Sequence, residues 1–303
     1  MQLDRQSLRA FLLLGLVMLF WGGNFIVGRA VAGQVPPMTF ALLRWLGALA
    51  FLLPFAIGPM QREAAEIRKG WKPILLLGLL GVAGFHGLLY TGLQYTTASN
   101  ALLLSAVTPV LVVLSGLIIF GDRIGGLQAI AMAASVLGVV VIVFEGSLAA
   151  ASRLHVGRGE LIVLAAALAW ALYTALLRLR PALGATAFLT STFIVGAVVI
   201  APFSAWELMS GANIAWSWQV LAAIAYVAIL PSIVSYYIYN AASVSVGPAK
   251  AGQAITLLPL FGALLSSLLL GERLYAYHGV GMVLILAGIV LGAFAGRAAK
   301  PKA

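Results

Sequence analysis

Trp21 and Asn24 lie three residues apart, and Trp170 and Tyr173 repeat that spacing 149 positions later. Residues three or four apart share one face of a helix, so each pair sets an aromatic plane beside a second interacting group. His86 and Tyr90, four apart, make a third such face, and Ser235, Tyr236, Tyr239 and Asn240 a fourth. Lys250, Gln253 and Thr256 share one broad face, and Asn100 and Ser105 complete the polar set. Trp and Tyr rings stack on an organic molecule or a cation, while Asn, Gln and Tyr groups hydrogen-bond an ammonium or a carboxylate. That is the chemistry of binding. The chemistry of bond breaking is not expected. There is no cysteine, and the three histidines (His86, His155, His278) are scattered, with no acid near His86 in sequence. No catalytic residue, metal site or cofactor is therefore expected. An enzyme acting on lipid would need a nucleophile or a metal, and a nucleotide hydrolase of the P-loop kind would need a GxxxxGK[ST] loop, which is missing. A scaffold protein would leave the paired clusters unexplained.

The elements that must position these groups follow from composition. Hydrophobic residues make up 63% of the 303 and charged residues 9%, against roughly a quarter charged in soluble domains. The solvent for such a chain is a bilayer. The formal charge of +10 resides in short connections, and no aromatic-basic surface is long enough to follow a phosphate backbone. The first apolar run, between Arg9 and Arg29, is 19 residues long. Signal-peptide cores are ~7–15 residues, so a retained membrane helix is expected. A ruler of roughly 20 residues per span gives ten segments, near 10–31, 36–57, 73–95, 99–121, 125–145, 160–178, 183–206, 216–240, 247–270 and 276–296. With the N-terminus in the cytoplasm, thirteen Lys and Arg fall on the cytoplasmic side. Four (Arg29, Arg153, Arg158, Arg273) fall opposite, with Arg44 inside the second segment. Positive charge concentrates on the cytoplasmic side, so both termini are expected there.

The segments repeat. PVLVVLSGLIIFGDRI (109–124) and PLFGALLSSLLLGERL (259–274) align without gaps at an offset of 150, as do Gly138 and Gly288. Trp21 and Arg29 match Trp170 and Arg178 at 149. The chain therefore divides into a cytoplasmic N-terminus (1–9), a first five-helix unit (10–145), a connecting loop (146–159), a second unit (160–296) and a cytoplasmic tail (297–303). Five is odd, so the second unit enters the membrane from the other side. Inverted repeats place a substrate near the midplane and support alternating access. Pro109 and Pro259 each free a backbone carbonyl and are expected to be gating flex points. Asp122 and Glu272 close their helices at opposite faces, each followed by Arg. A carboxylate there can pair with Arg and lock a gate, although a solvated charge pair at a helix end is the simpler account.

The motifs WGGNFIVGR in the first segment, PPMTFALLRW in the second, and GDR and GER after an intramembrane Pro in the fourth and ninth resemble the EamA family of the drug/metabolite transporter superfamily. Within it the nearest likeness is to bacterial inner-membrane amino-acid exporters, those of aromatic amino acids among them. The resemblance spans residues 10–296 and implies an all-α basket of ten helices. Its cavity would be lined by helices 1, 3, 4, 6, 8 and 9 and used for efflux of small metabolites. Arg44 matches an Arg common in the family, for which structural anchoring is expected ahead of binding.

Polar groups deep in a bilayer are costly and face the bundle interior or a wet cavity. The expected substrate-binding residues are accordingly Trp21, Asn24, His86, Tyr90, Trp170, Tyr173, Ser235, Tyr236, Tyr239, Lys250 and Gln253. Plainer readings stand beside some of them. Lys250 is close enough to a helix end to snorkel, Tyr95, Trp216 and Trp218 read as interfacial belts, and His86 can bond a neighbouring helix. No acid lies mid-helix, and Glu145, Glu160 and Glu207 fall at ends. This speaks against proton antiport on a buried carboxylate and hence against organic-cation efflux, which remains the alternative. If protons couple to transport, His86, with a reference pKa of about 6.5, is their expected carrier. Otherwise facilitated diffusion suffices. The expected partners are a small-molecule substrate such as an amino acid, and membrane lipid. Nucleic acid is not expected, and a monomer is the working assumption.

Overall fold

The computed structural model describes residues 5–122, 125–144, 146, 157–239 and 257–298, and their regular elements are helices. Helix α1 (Arg5–Ala30) leads to α2 (Pro37–Arg62). Proline opens α2 because its missing N–H would lack a helical partner in the first turn anyway. After the short α3 (Ala64–Lys69), the third span runs as α4 (Trp71–Leu77), a π-helical turn (Gly78–Gly84) and α5 (Phe85–Gly92). Helices α6 (Ala98–Ser105), α7 (Thr108–Phe120) and α8 (Gly126–Val143) complete the first half.

The second half begins with α9 (Arg158–Leu176) and α10 (Ala185–Met209). Then α11 (Trp218–Ala228) passes through a π turn (Ile229–Val234) and continues helical to Tyr239. Helices α12 (Leu258–Leu270) and α13 (Ala276–Ala298) follow. The repeat is visible in local backbone: both third spans carry a π turn, and α7 and α12 both end on a left-handed glycine, Gly121 (φ 68°) and Gly271 (φ 65°). A side chain at either glycine would strain the cap.

Among the described residues six spans are long and apolar enough to cross a membrane: Leu12–Ala30, Pro37–Arg62, Trp71–Gly92, Arg158–Leu179, Ala185–Met209 and Trp218–Tyr239. The bent pair of α6 and α7, turning by 42°, makes a seventh. The protein is thus an all-helical, multi-pass membrane protein, and large apolar side chains such as Phe55 and Met209 are exposed on its outside. Pro109 is not mid-helix, as the continuous apolar run predicts, but lies in the first turn of α7. The helix breaks at Ala106 and Val107, and the Ser105 carbonyl accepts the Thr108 hydroxyl at 2.5 Å. Proline cannot donate to that carbonyl, so the break goes where its partner is missing. Pro259 likewise sits in the first turn of α12.

The halves pack about one another with two-fold character. In the α8–α13 pair, a Cβ on Gly138 would meet the Gly281 carbonyl and Ile285, and one on Gly288 would meet the Ala131 carbonyl and Ser135. Ala131, Ser135 and Gly138 are the 150-offset counterparts of Gly281, Ile285 and Gly288, so each contact is the image of the other. Helices α2 and α10 cap each other. The Glu207 carboxylate accepts the Met38 and Thr39 amides (2.9 and 2.8 Å) and the Thr39 hydroxyl (2.9 Å), while Glu63 accepts the Gly184 amide (2.7 Å). Carboxylates at helix N-termini satisfy orphan donors and complement the dipole.

Chain direction follows from end contacts. Helix α9 starts beside α6, where Glu160 meets Thr96, and its last residues reach the end of α7, where Arg178 meets Asp122. Helix α1 ends beside the start of α6, where Arg29 meets the Leu93 carbonyl. The helices that carry Trp21 and Trp170 therefore run in opposite senses.

Candidate substrate site

Trp21 is held by its own hydrogen bond: its indole N–H donates to the Pro231 carbonyl at 3.1 Å. That carbonyl lies in the second π turn, where the wider helix leaves backbone groups free for outside partners. So fixed, Trp21 meets Trp170 edge-on at 6.3 Å, Tyr236 edge-on at 6.2 Å and Tyr239 at 5.4 Å. Trp170 in turn packs on Phe85 and Tyr173, both at 5.0 Å, and Phe193 meets Tyr236 at 5.9 Å. Offset and edge contacts at these distances are the favoured aromatic geometry. An aromatic cluster is thereby assembled from α1, α5, α9, α10 and the end of the span that α11 begins. Trp21, Trp170, Tyr236 and Tyr239 all remain partly exposed within it.

A polar knot lies beside the cluster. Arg44 donates through Nη1 to Asn24 Oδ1 (2.6 Å) and to the Tyr90 hydroxyl (2.7 Å), and through Nε to the Ser232 hydroxyl (2.8 Å). Tyr90 also donates to Asn24 Oδ1 at 2.7 Å, and Ser232 to the Val227 carbonyl at 2.8 Å. The guanidinium carbon stands 4.8 Å from the centre of the Trp45 ring. Arg44 is 2% exposed, and its hydrogen-bond partners are neutral. The ion pair found among the described residues lies elsewhere, between Asp122 and Arg178. Knot and cluster share their supports, since Trp21 and Asn24 are one turn apart on α1, and Pro231, which holds Trp21, is adjacent to Ser232, which holds Arg44.

The sequence-derived residues divide accordingly. Trp21, Trp170, Tyr173, Tyr236 and Tyr239 meet in the aromatic cluster. Asn24 and Tyr90 belong to the Arg44 knot. His86 is buried, with Nδ1 3.2 Å from the Val82 carbonyl and its ring against Trp45 (4.9 Å) and Phe85 (4.7 Å). Ser235 is fully buried and spends its hydroxyl on the Leu230 carbonyl at 2.8 Å, so it supports the π turn and does not face the cluster. Lys250, Gln253, Asn240 and Thr256 lie outside the described residues. Helix α1 runs unbroken through Gly22 and Gly23. Gly22 lets α12 approach, a Cβ there standing 3.5 Å from the Gly262 amide nitrogen, and Gly23 makes room for the Tyr226 hydroxyl, which donates to the Phe20 carbonyl at 3.1 Å.

Sequence reasoning missed three participants. Phe85 and Phe193 carry no polar mark in an apolar run. Ser232 is flagged only by following Pro231 inside a span. Arg44 was visible, but its central place was not, because its partners come from α1, α5 and the second π turn.

Asp122 is held below the ordinary carboxylate range by the hydrogen bond from Arg178, whose Nη1 and Nη2 reach it at 3.2 and 2.5 Å. Its image Glu272 does something else: it accepts the Ala98 and Ser99 amides, both at 2.9 Å, and the Ser99 hydroxyl at 2.7 Å. Glu272 therefore does not spend its oxygens on the neighbouring Arg273, as the GER motif suggests, while Arg123 of the GDR motif lies outside the described residues. Among the described residues no His, Cys, Asp or Glu group clusters in a way that holds a metal.

Comparison with known proteins places this architecture. The chain matches the EamA-like transporter family twice, over residues 8–144 and 157–293. It is 27% identical over 277 residues to the uncharacterised transporter YyaM of Bacillus subtilis, covering 90% of this chain and 89% of that one. An uncharacterised transporter of Archaeoglobus fulgidus is 28% identical over 289 residues, covering 93% and 96%. One solved crystal structure shares the fold with a TM-score of 0.62 at 18% identity, covering 95% of this chain and 99% of that one.

Proposed function

The chain belongs to the EamA-like transporter family, and on that premise we propose that it is a secondary transporter exporting small metabolites, foremost amino acids, across the bacterial cytoplasmic membrane by alternating access. In this reading ten helices form two inverted five-helix repeats (10–145 and 160–296), with both termini cytoplasmic. The bent α6–α7 pair serves as the fourth span, the α12 region as the ninth, and α8 and α13 as the fifth and tenth. The observation that carries the reading is the meeting of Trp21 and Trp170. These are repeat-equivalent residues on oppositely running helices, brought together in one partly exposed cluster beside a buried cation. Lys250 and Gln253 would extend the same wall.

An amino acid fits both parts. Its side chain stacks in the cluster, and its carboxylate is drawn to Arg44, whose charge meets, among the described residues, neutral acceptors and a ring face. Organic-cation efflux is the second reading, favoured by the rings. The positive charge of Arg44 next to the cluster opposes it. Like charge in a low-dielectric site costs far more than in water.

Purified protein in proteoliposomes, tested against an amino-acid panel with and without a pH gradient, checks the proposal. Flux of at least one amino acid is expected, and indifference to all of them refutes the substrate class. Protection of cells from cationic dyes would instead favour the second reading. His86→Ala in the same assay separates coupling from packing, since pH-driven accumulation that survives it removes His86 from any proton path.

A further inference from the structure

Two carboxylates and two arginines occupy repeat-equivalent places: Asp122 and Glu272 are 150 apart, and Arg178 and Arg29 are 149 apart. Their partners are nonetheless different. Asp122 takes Arg178 in a two-point pair. Glu272 instead takes the N-terminus of α6 with both oxygens, and Arg29 donates Nη1 to the Leu93 carbonyl at 2.8 Å. The carboxylate–arginine pair is made at one end of the span 98–120 and unmade at the other.

Among the described residues the two ends are also bound differently. At the Glu272 end, α6 is stitched to three other helices. Ser99 meets Ser266 of α12 at 2.6 Å, Thr96 donates to Glu160 of α9 at 2.5 Å, and His278 of α13 donates through Nε2 to Asn100 Oδ1 at 2.8 Å. At the Asp122 end the pair with Arg178 is about half exposed. The structure is therefore shut at the Glu272 end.

We propose that Arg29 and Glu272 are the second of two alternating gates, and that Glu272 leaves the α6 N-terminus for Arg29 when that end opens. The inference rests on the alternating-access reading above. In a transporter built of two inverted copies that rock about one site, a contact made in one copy in one end state has its counterpart in the twin in the other. The Asp122–Arg178 pair is then the present image of an Arg29–Glu272 pair. A carboxylate has about four acceptor sites, and the Ala98 and Ser99 amides and the Ser99 hydroxyl take three of those on Glu272, so a bidentate guanidinium must displace at least one of them. The Arg29 anchor at Leu93 and the Glu272 anchor at Ala98 are five residues apart on the same connection, which bounds the separation of the anchors at about 18 Å. Both arrangements are charge-assisted hydrogen bonds of one class. Exchange between them is nearly balanced, which a two-state element requires.

The absence of cysteine from the chain makes the test direct. Tyr95→Cys and Leu274→Cys place spin labels on two exposed residues at the Glu272 end, and the distance between them is read in lipid nanodiscs by pulsed electron resonance. Arg178→Gln removes a contact of the present state, so the population with the longer distance should rise about two- to fivefold, the scale of an exposed pair. Arg29→Gln costs the present state one hydrogen bond to the Leu93 carbonyl but costs the other state its charge pair with Glu272, so it should on balance deplete that population. Opposite signs are the signature of the gate. Arginines that merely anchor helix ends would shift the distances in the same direction or leave them alone, and either result overturns the proposal. Asp122→Asn must follow Arg178→Gln in sign. Opposite shifts without amino-acid flux would leave the gate standing and remove the substrate reading. Flux without any shift would do the reverse.

Discussion

Replacing Arg44 by Gln tests how the site reads its substrate. The three acceptors of Arg44 keep other bonds: Tyr90 still donates to Asn24, and Ser232 still donates to the Val227 carbonyl. The variant therefore leaves no buried acceptor stranded and should fold. What it removes is the charge. A carboxylate about 4 Å from a guanidinium gains about 4 kcal/mol at an effective dielectric constant near 20. Desolvation takes part of this back, leaving about 1.5–3 kcal/mol, the scale of a hydrogen bond to a charged group. Each 1.4 kcal/mol is about a factor of ten, so the native protein should favour an amino acid over its uncharged-carbonyl amide by about 10- to 100-fold. The assay is competition for amino-acid counterflow in proteoliposomes, comparing phenylalanine with phenylalaninamide. In Arg44→Gln the preference should collapse towards unity, while Arg44→Lys, which keeps the charge but loses the planar fork, should retain part of it. If Arg44→Gln is monodisperse and keeps the full preference, the carboxylate is read elsewhere and the reasoning fails.

Other expectations are shorter to state. Gly288→Ala drives a methyl into the Ala131 carbonyl, a backbone atom that no rotamer can move. It should cost about 1–3 kcal/mol and lower the melting temperature in detergent, whereas Gly279→Ala, which meets open space, should not. Pro109→Ala restores an N–H that can bond the Ser105 carbonyl and join α6 to α7. It and Pro259→Ala should each slow flux in a folded protein, and unchanged flux in both variants removes the flex-point role. Asp122 has a depressed pKa, so its pair with Arg178 is present above the ordinary carboxylate value of about 3.9 and is lost only as pH falls through the lower folded value. The effect of Asp122→Asn on the label distances should therefore be constant between pH 5 and 8 and vanish only in stronger acid. A change across neutrality would assign the titration to another group.

Much of this protein is written in one dimension. Apolar runs about 20 residues long need no tertiary information to become membrane helices, because hydrocarbon forces each segment to satisfy its own backbone. The duplication is equally legible, since Gly138 and Gly288, or Gly121 and Gly271, hold the same structural office at a fixed offset. The aromatic set could be named because polar and aromatic groups are scarce in such a chain. The positions of breaks were less legible. An apolar run with a Pro reads as one kinked helix, yet the chain ends α6 before Pro109 because a Thr hydroxyl was available for the orphaned carbonyl. Nothing local announces π turns either. Their sites depend on what packs alongside, as Tyr173 does against Gly81 and Val195 against Gly78.

What the sequence determined by itself was the solvent, the span lengths and the existence of two copies, because these depend on composition and on spacing along the chain. Only the tertiary structure decided which partner each charged group takes. Arg44 finds Asn24, Tyr90 and Ser232 at sequence separations of 20, 46 and 188, and Glu272 finds α6 at a separation of 174. A helix fixes neighbours three and four residues away, but its rotation and tilt are set by the helices packed against it. The charges of two matching motifs could therefore end in different hands.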